Sequence, residues 1–152
     1  MNNLIDLLSN SRLTILGYTY KNERIKDELI SSISSIRLNN FSSNSFLQLL
    51  RDKKISNLLN NEESSKFITF DLLDIKKDKE QNRKSDLIHI RGVLPNNHNL
   101  LISAPFYRGI DDQDYIKGNS NMYIADLVLY IEDDKKLKVI KSRQTDKYYI
   151  YV

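Results

Sequence analysis

The chain has no cysteine, and among its 152 residues it has only two histidines, two prolines and four glycines. Without cysteine there is no disulfide and no thiolate metal site, and with His89 and His98 as the sole imidazoles a histidine-rich metal centre is excluded. No apolar run approaches the roughly 20 residues of a membrane span. The opening MNNLIDLLSNSR lacks the basic stretch and unbroken apolar core of a secretory leader. A cytoplasmic location away from membranes is therefore expected. Neither sign of charge dominates: 23 Lys and Arg stand against 20 Asp and Glu, a net +3 that leans weakly toward acidic partners such as nucleic acid. The length suits one domain spanning 1–152, long enough to bury about two thirds of its unfolded surface without staples.

What is present is periodic. Ala125–Arg143 alternates apolar and polar residues on either side of Asp133, Asp134, Lys135 and Lys136, which predicts a β-hairpin. With no glycine in the turn, a longer type I connection is expected rather than a two-residue primed turn. Asn3–Leu8 reads as a short helix and Leu13–Tyr20 as a buried strand. A helix capped by Asn22 follows, with Ile25, Leu29, Ile33 and Ile36 as one apolar stripe. Phe46–Leu50 and Ile55–Leu59 read as two helical pieces, Lys66–Ile75 as a strand and Lys76–Lys84 as a charged loop. A helix over Ser85–Leu94 ends at Pro95, and Leu100–Ser103 is again a strand. Pro105–Asn121 reads as loop, and Lys147–Val152 as a last strand whose Tyr148, Tyr149 and Tyr151 suit either packing or stacking on bases. Strands alternating with helices predict an α/β fold.

Taken in order, these pieces resemble the nucleotide-binding core of RecA-like ATPases, especially the hexameric replicative DNA helicases and their KaiC-like relatives. FITFDLLDI looks like a Walker B strand with Asp71 at the acid, and LLISAPFYRG looks like the following strand, with Ser103 at its polar end. Ala125-Asp126-Leu127-Val128-Leu129 followed by a hairpin and Lys141-Ser142-Arg143 looks like the family's closing segment. The resemblance implies a mainly parallel mixed sheet with flanking helices and a C-terminal antiparallel hairpin. It implies Lys141 and Arg143 as trans fingers reaching a neighbouring subunit's γ-phosphate. It also implies Asp71 and Ser103 as nucleotide-site residues, with Asp71 holding Mg²⁺ through water.

The departures from the family pattern decide more. A phosphate-binding loop needs a glycine-rich turn followed by Lys and Ser or Thr. Gly17, Gly92, Gly109 and Gly118 are the only glycines, and none stands in such a motif. The family's catalytic Glu falls at Lys21, and the Gln after Ser103 is Ala104. The phosphate-loop strand is read as missing, which leaves a gap that the sheet must close, the C-terminal strand must border, or another chain must fill. No cofactor of its own is expected, with ATP and Mg²⁺ reached only through a neighbouring subunit. The function this implies is a non-catalytic helicase-like protein of DNA replication or recombination, phage-borne or from a mobile element. It would join a homo-oligomer or a ring ATPase, with DNA among its contacts. The alternatives are a plain nucleic-acid or protein-binding α/β module, or the C-terminal part of a split or truncated helicase ATPase. A structural role for Asp71 at a strand end, and for Lys141 and Arg143 as a solvated basic edge, stands beside each functional assignment.

Overall fold

A computed structural model describes residues 2–59, 67–76, 83–95, 97–106 and 124–152. Seven strands form one sheet: β1 (Leu13–Tyr18), β2 (Ser35–Arg37), β3 (Phe67–Asp71), β4 (Asn99–Pro105), β5 (Leu127–Asp133), β6 (Lys136–Ser142) and β7 (Tyr149–Tyr151), in the order β2-β3-β4-β1-β5-β6-β7. The first five positions pair in parallel and the last two add antiparallel. The α/β class, the mainly parallel sheet and the C-terminal hairpin are thus as the sequence indicates. The arrangement is compatible with a Rossmann-like or RecA-like fold.

Four helices cover the sheet: α1 (Asn2–Ser9), α2 (Glu23–Ser31), α3 (Phe46–Leu59) and α4 (Arg83–Val93). Because side chains alternate across a strand, the core divides into two layers. On one face Leu4 and Leu8 of α1 and Leu29 and Ile30 of α2 pack with Leu16, Tyr18, Leu101, Leu129 and Ile131. On the other, Phe46 and Leu50 of α3 and Leu87 and Ile90 of α4 pack with Ile15, Ile68, Phe70, Ile102 and Val128. The inner strands are buried on both faces, β1 along its whole length, which is why LTILGY reads as a nearly continuous apolar run rather than an alternating one.

The sheet is continuous. β1 pairs with β4 from Leu13 to Tyr18 and with β5 from Thr14 to Gly17, so no position inside the sheet stands open and the two edges are β2 and β7. The expected gap is not seen among the described residues, and the C-terminal strand β7 borders one edge of the sheet.

Several local expectations are corrected. Ile36 does not extend the helical stripe: α2 ends at Ser31, and Ser35–Arg37 pairs with Phe67–Thr69 as an edge strand. Asn22 stands at the N-cap of α2 but makes no capping bond; its amide instead donates to the Ile131 carbonyl at 3.1 Å, tying the helix start to β5. Phe46–Leu59 is one helix, not two pieces, because the charged Arg51, Asp52 and Lys53 are exposed and need no break. The hairpin turn is short, Asp134 and Lys135 alone. It is nonetheless not a primed turn, because Asn40 is the only non-glycine residue with positive φ among the described residues. A register shift between Ile131 and Asp133 takes up the mismatch. The expected loops at 76–84 and 105–121 lie mostly outside the described residues, but Arg83 and Lys84 already belong to α4 and Pro105 to β4.

Candidate functional site at the carboxyl ends of the parallel strands

In an open α/β sheet, ligands bind outside the carboxyl ends of the strands, where neighbouring crossovers diverge. Here β1 leads through α2 across one face to the far edge, whereas β4, its neighbour, is reached through α4 on the other face. The ends of β1, β3 and β4 bring together Tyr18, Asp71 and Ser103. Asp71 and Ser103 are register partners, so their side chains share a face, and the Ser103 hydroxyl donates to Asp71 Oδ2 at 2.8 Å. The Tyr18 hydroxyl donates to the same oxygen at 2.7 Å. Asp71 Oδ1 accepts from the Leu73 N–H at 2.9 Å, and the Asp71 N–H donates to Asp74 Oδ2 at 3.0 Å. Asp71 is thus the N-cap of the short 3₁₀ turn Leu72–Asp74, and Asp74 completes the capping box.

Three donors therefore converge on one carboxylate that has about four acceptor sites. Mg²⁺ needs oxygen ligands in near-octahedral array, and Asp74 is already engaged with the Asp71 backbone. Among the described residues there is no cluster of three acidic or imidazole side chains able to hold a metal. The residues at Asp71 do not fit a resident Mg²⁺. Burial, then the hydrogen bond to Asp71 and the charge of that carboxylate, push the Tyr18 hydroxyl well above the ordinary tyrosine range. Tyr18 therefore stays a donor.

The turn after β1 is closed in other ways. A Cβ at Gly17 would run into the Phe106 ring, so glycine is required there by close approach rather than by a phosphate. Phe106 stacks on Tyr130 at 5.2 Å between centroids, and its N–H donates to the Tyr18 carbonyl at 2.7 Å. Lys26 of α2 is buried, its ammonium 4.6 Å above the Tyr18 ring and 2.8 Å from Asp27. Carbonyls, carboxylates and cations at this end largely satisfy one another.

Lys141 and Arg143 lie elsewhere. Asp71 ends β3, whereas Lys141 on β6, four strand steps away, pairs with Val128 near the start of β5. The two are thus about 19 Å apart sideways across the sheet at the usual strand spacing, and at opposite ends of the strands. Arg143 Nη1 is 3.5 Å from Asp126 Oδ1, and Arg91 Nη2 is 3.4 Å from Asp126 Oδ2. Asp126 also accepts from the Leu13 N–H at 3.2 Å, and Arg91 donates to the Ile124 carbonyl at 2.8 Å. Burial first, then the charges of Arg143 and Arg91, opposed by Asp126, lower the Lys141 ammonium below the ordinary lysine range. Asp126 is thus the hub of a basic group that also pins the start of β5 to the start of β1.

Sequence reasoning paired Asp71 with Ser103 but missed Tyr18, Arg91 and Lys26. The signal for Tyr18 was its place as the last residue of a buried strand, where an aromatic hydroxyl must find a partner. Arg91 carried no signal, since its partners lie more than thirty residues away. No protein-family model matches the chain, and no match is found among curated proteins.

Proposed function

We propose that this chain is a non-catalytic helicase-like protein that joins or regulates a ring ATPase in DNA replication or recombination. The observation that carries the reading is the state of Asp71: on a fold compatible with nucleotide binding, the acid at the strand end is consumed by Tyr18, Ser103 and the Leu73 N–H. The absence of a glycine-rich phosphate loop in the sequence and the packing of Phe106 over Gly17 support it. A chain of this kind contributes surface, not hydrolysis. Its open edges at β2 and β7 and its exposed Arg143 suit association with further copies or with an intact ATPase.

The test is a calorimetric titration with Mg-ATP, paired with light scattering in the presence of a hexameric replicative helicase from the same genome. Affinity for Mg-ATP no better than millimolar and a mass shift on adding the helicase are expected. Micromolar Mg-ATP affinity would overturn the non-catalytic assignment, and a monomer unchanged by the helicase would overturn the partner. A second reading, a nucleic-acid-binding module without nucleotide chemistry, is favoured by the side chains on one face of β6 and β7.

A further inference from the structure

Strand β6 carries three lysines, and its β-bulge decides where they point. Lys136 and Lys138 are two residues apart and share a face. Lys141, three residues further on, would point to the other side of a regular strand. The register shift between Val128 and Leu129 pairs Val128 with Lys141 but Leu129 with Val139, which leaves Ile140 as the extra residue. Lys141 is thereby returned to the face of Lys138, which lies opposite Tyr130. Arg143 follows one residue past the end of β6, exposed and 3.5 Å from Asp126.

Strand β7 adds aromatic rings on the same face. Tyr149 lies opposite Lys138 and Tyr151 opposite Lys136, and the Lys136 ammonium sits 3.9 Å from the centre of the Tyr149 ring. Leu137 and Ile150 point the other way into the core. On the lysine face no buried residue of β6 or β7 contributes to the core, and only Ile140 packs partly against it. Tyr151 is 67% exposed and the Arg143 side chain 69%. Two carboxylates offset the row: Glu132 is 3.5 Å from Lys136 and Asp126 is 3.5 Å from Arg143. Both pairs are partly exposed and long, so they yield readily to a competing anion. Lys138 has no ion pair among the described residues.

We propose that this face of β6 and β7 binds single-stranded nucleic acid, with Tyr149 and Tyr151 stacking on bases and Lys136, Lys138, Lys141 and Arg143 meeting the phosphates. Charge complementarity selects a polyanion. The rings select unpaired bases, because a duplex keeps its base faces inside the stack whereas a single strand offers them to an aromatic platform. Cations on one strand face recur about every 7 Å, twice the roughly 3.4 Å rise per nucleotide of a stacked strand, so the row can follow one backbone. The inference stands on this face alone and does not rest on the reading of the Asp71 site.

The experiment is fluorescence anisotropy of a labelled oligothymidylate titrated with the full chain over a series of salt concentrations. About four phosphate contacts predict that log K falls against log salt with a slope of roughly −2 to −3. Lys138→Ala with Lys141→Ala should flatten that slope by about 1.4. Tyr151→Ala should weaken binding about tenfold with the slope unchanged, and Tyr151→Phe should restore it. Circular dichroism confirms that each variant is folded, and all of these positions are at least partly exposed. Absence of saturable binding at low salt, equal affinity for a duplex, equal competition by polyglutamate, or indifference to Tyr151→Ala would each overturn the proposal. The polyglutamate result would point instead to an acidic protein partner.

Discussion

The Tyr18 hydroxyl reaches across the intervening strand β4 to Asp71 Oδ2, 2.7 Å away. It joins the central strand β1 to β3 by a side-chain bond independent of the backbone ladder. Tyr18→Phe keeps the ring in the core and removes only the donor. A hydrogen bond to a charged group contributes about 1.5–3 kcal/mol, so the variant should lose about 2 kcal/mol. Urea unfolding at neutral pH measures this, and a midpoint equal to that of the parent would mean that water replaces the hydroxyl without cost.

The same pair sets a pH dependence. Burial, then the hydrogen bond to Asp71, holds the folded Tyr18 hydroxyl above its ordinary value of about 10. Above that pH the unfolded chain releases a proton that the folded chain retains, so the unfolded state binds fewer protons and stability falls as pH rises. The contribution is fully present below about pH 10 and is lost as pH climbs toward the folded value. Comparing the parent with Tyr18→Phe from pH 8 to 11 isolates it. The stability gap should shrink through the upper part of that range, and a constant gap would count against the assignment.

Asp71→Ala strands two hydroxyls and the Leu73 N–H without their acceptor. Losses of this kind cost about 1–3 kcal/mol per buried group, partly recovered by water at a half-exposed site. A drop of about 3 kcal/mol is expected, with no change in the response to Mg²⁺. Thermal unfolding with and without millimolar Mg²⁺ distinguishes the roles: a metal site would show as a magnesium-dependent rise in the parent that the variant lacks.

Gly17→Ala should destabilise by about 1–3 kcal/mol, because the new methyl must displace the Phe106 ring from its stack on Tyr130. The double variant with Phe106→Ala should be less destabilised than the sum of the two single changes, since the obstacle is gone. Strict additivity in a denaturation cycle would show that the ring yields elsewhere.

These relationships bear on how much the sequence disclosed. The hairpin was legible because Leu127, Leu129 and Ile131 alternate cleanly, and the Ser85–Leu94 helix because Leu87, Ile90 and Leu94 share a stripe that is buried in the fold. Strand β2 was hidden because it is three residues long and Ile36 falls in phase with the preceding helix. Asp71 and Ser103 could be paired from their places at the ends of successive strands. Tyr18 could not join them, because its bond spans 53 positions and depends on β1 lying next to β4, which is a fact of topology and not of local pattern. The lysine row was hidden for a related reason. Period-two counting puts Lys141 out of phase with Lys138, and only the bulge at Ile140 brings it back.

Arg143 separates the two uses proposed for this basic edge. Its side chain is 69% exposed and meets Asp126 at 3.5 Å, while Asp126 keeps Arg91 and the Leu13 N–H. Arg143→Ala should therefore cost less than about 0.5 kcal/mol of stability. If the guanidinium acts as a finger on a neighbouring subunit's phosphate, its planar bidentate donors are the active feature, and a lysine point charge does not replace them. Both Arg143→Ala and Arg143→Lys should then abolish stimulation of a partner ATPase, where loss of such a finger costs about 10³-fold or more in turnover. If the residue only meets nucleic-acid phosphates, Arg143→Lys should retain oligothymidylate binding and Arg143→Ala should weaken it, with partner turnover unchanged in both. Partner ATPase rates and oligonucleotide anisotropy, measured on the parent and both variants, separate these outcomes. Equal turnover for all three chains would eliminate the finger, and unchanged anisotropy for both variants would remove Arg143 from the nucleic-acid face.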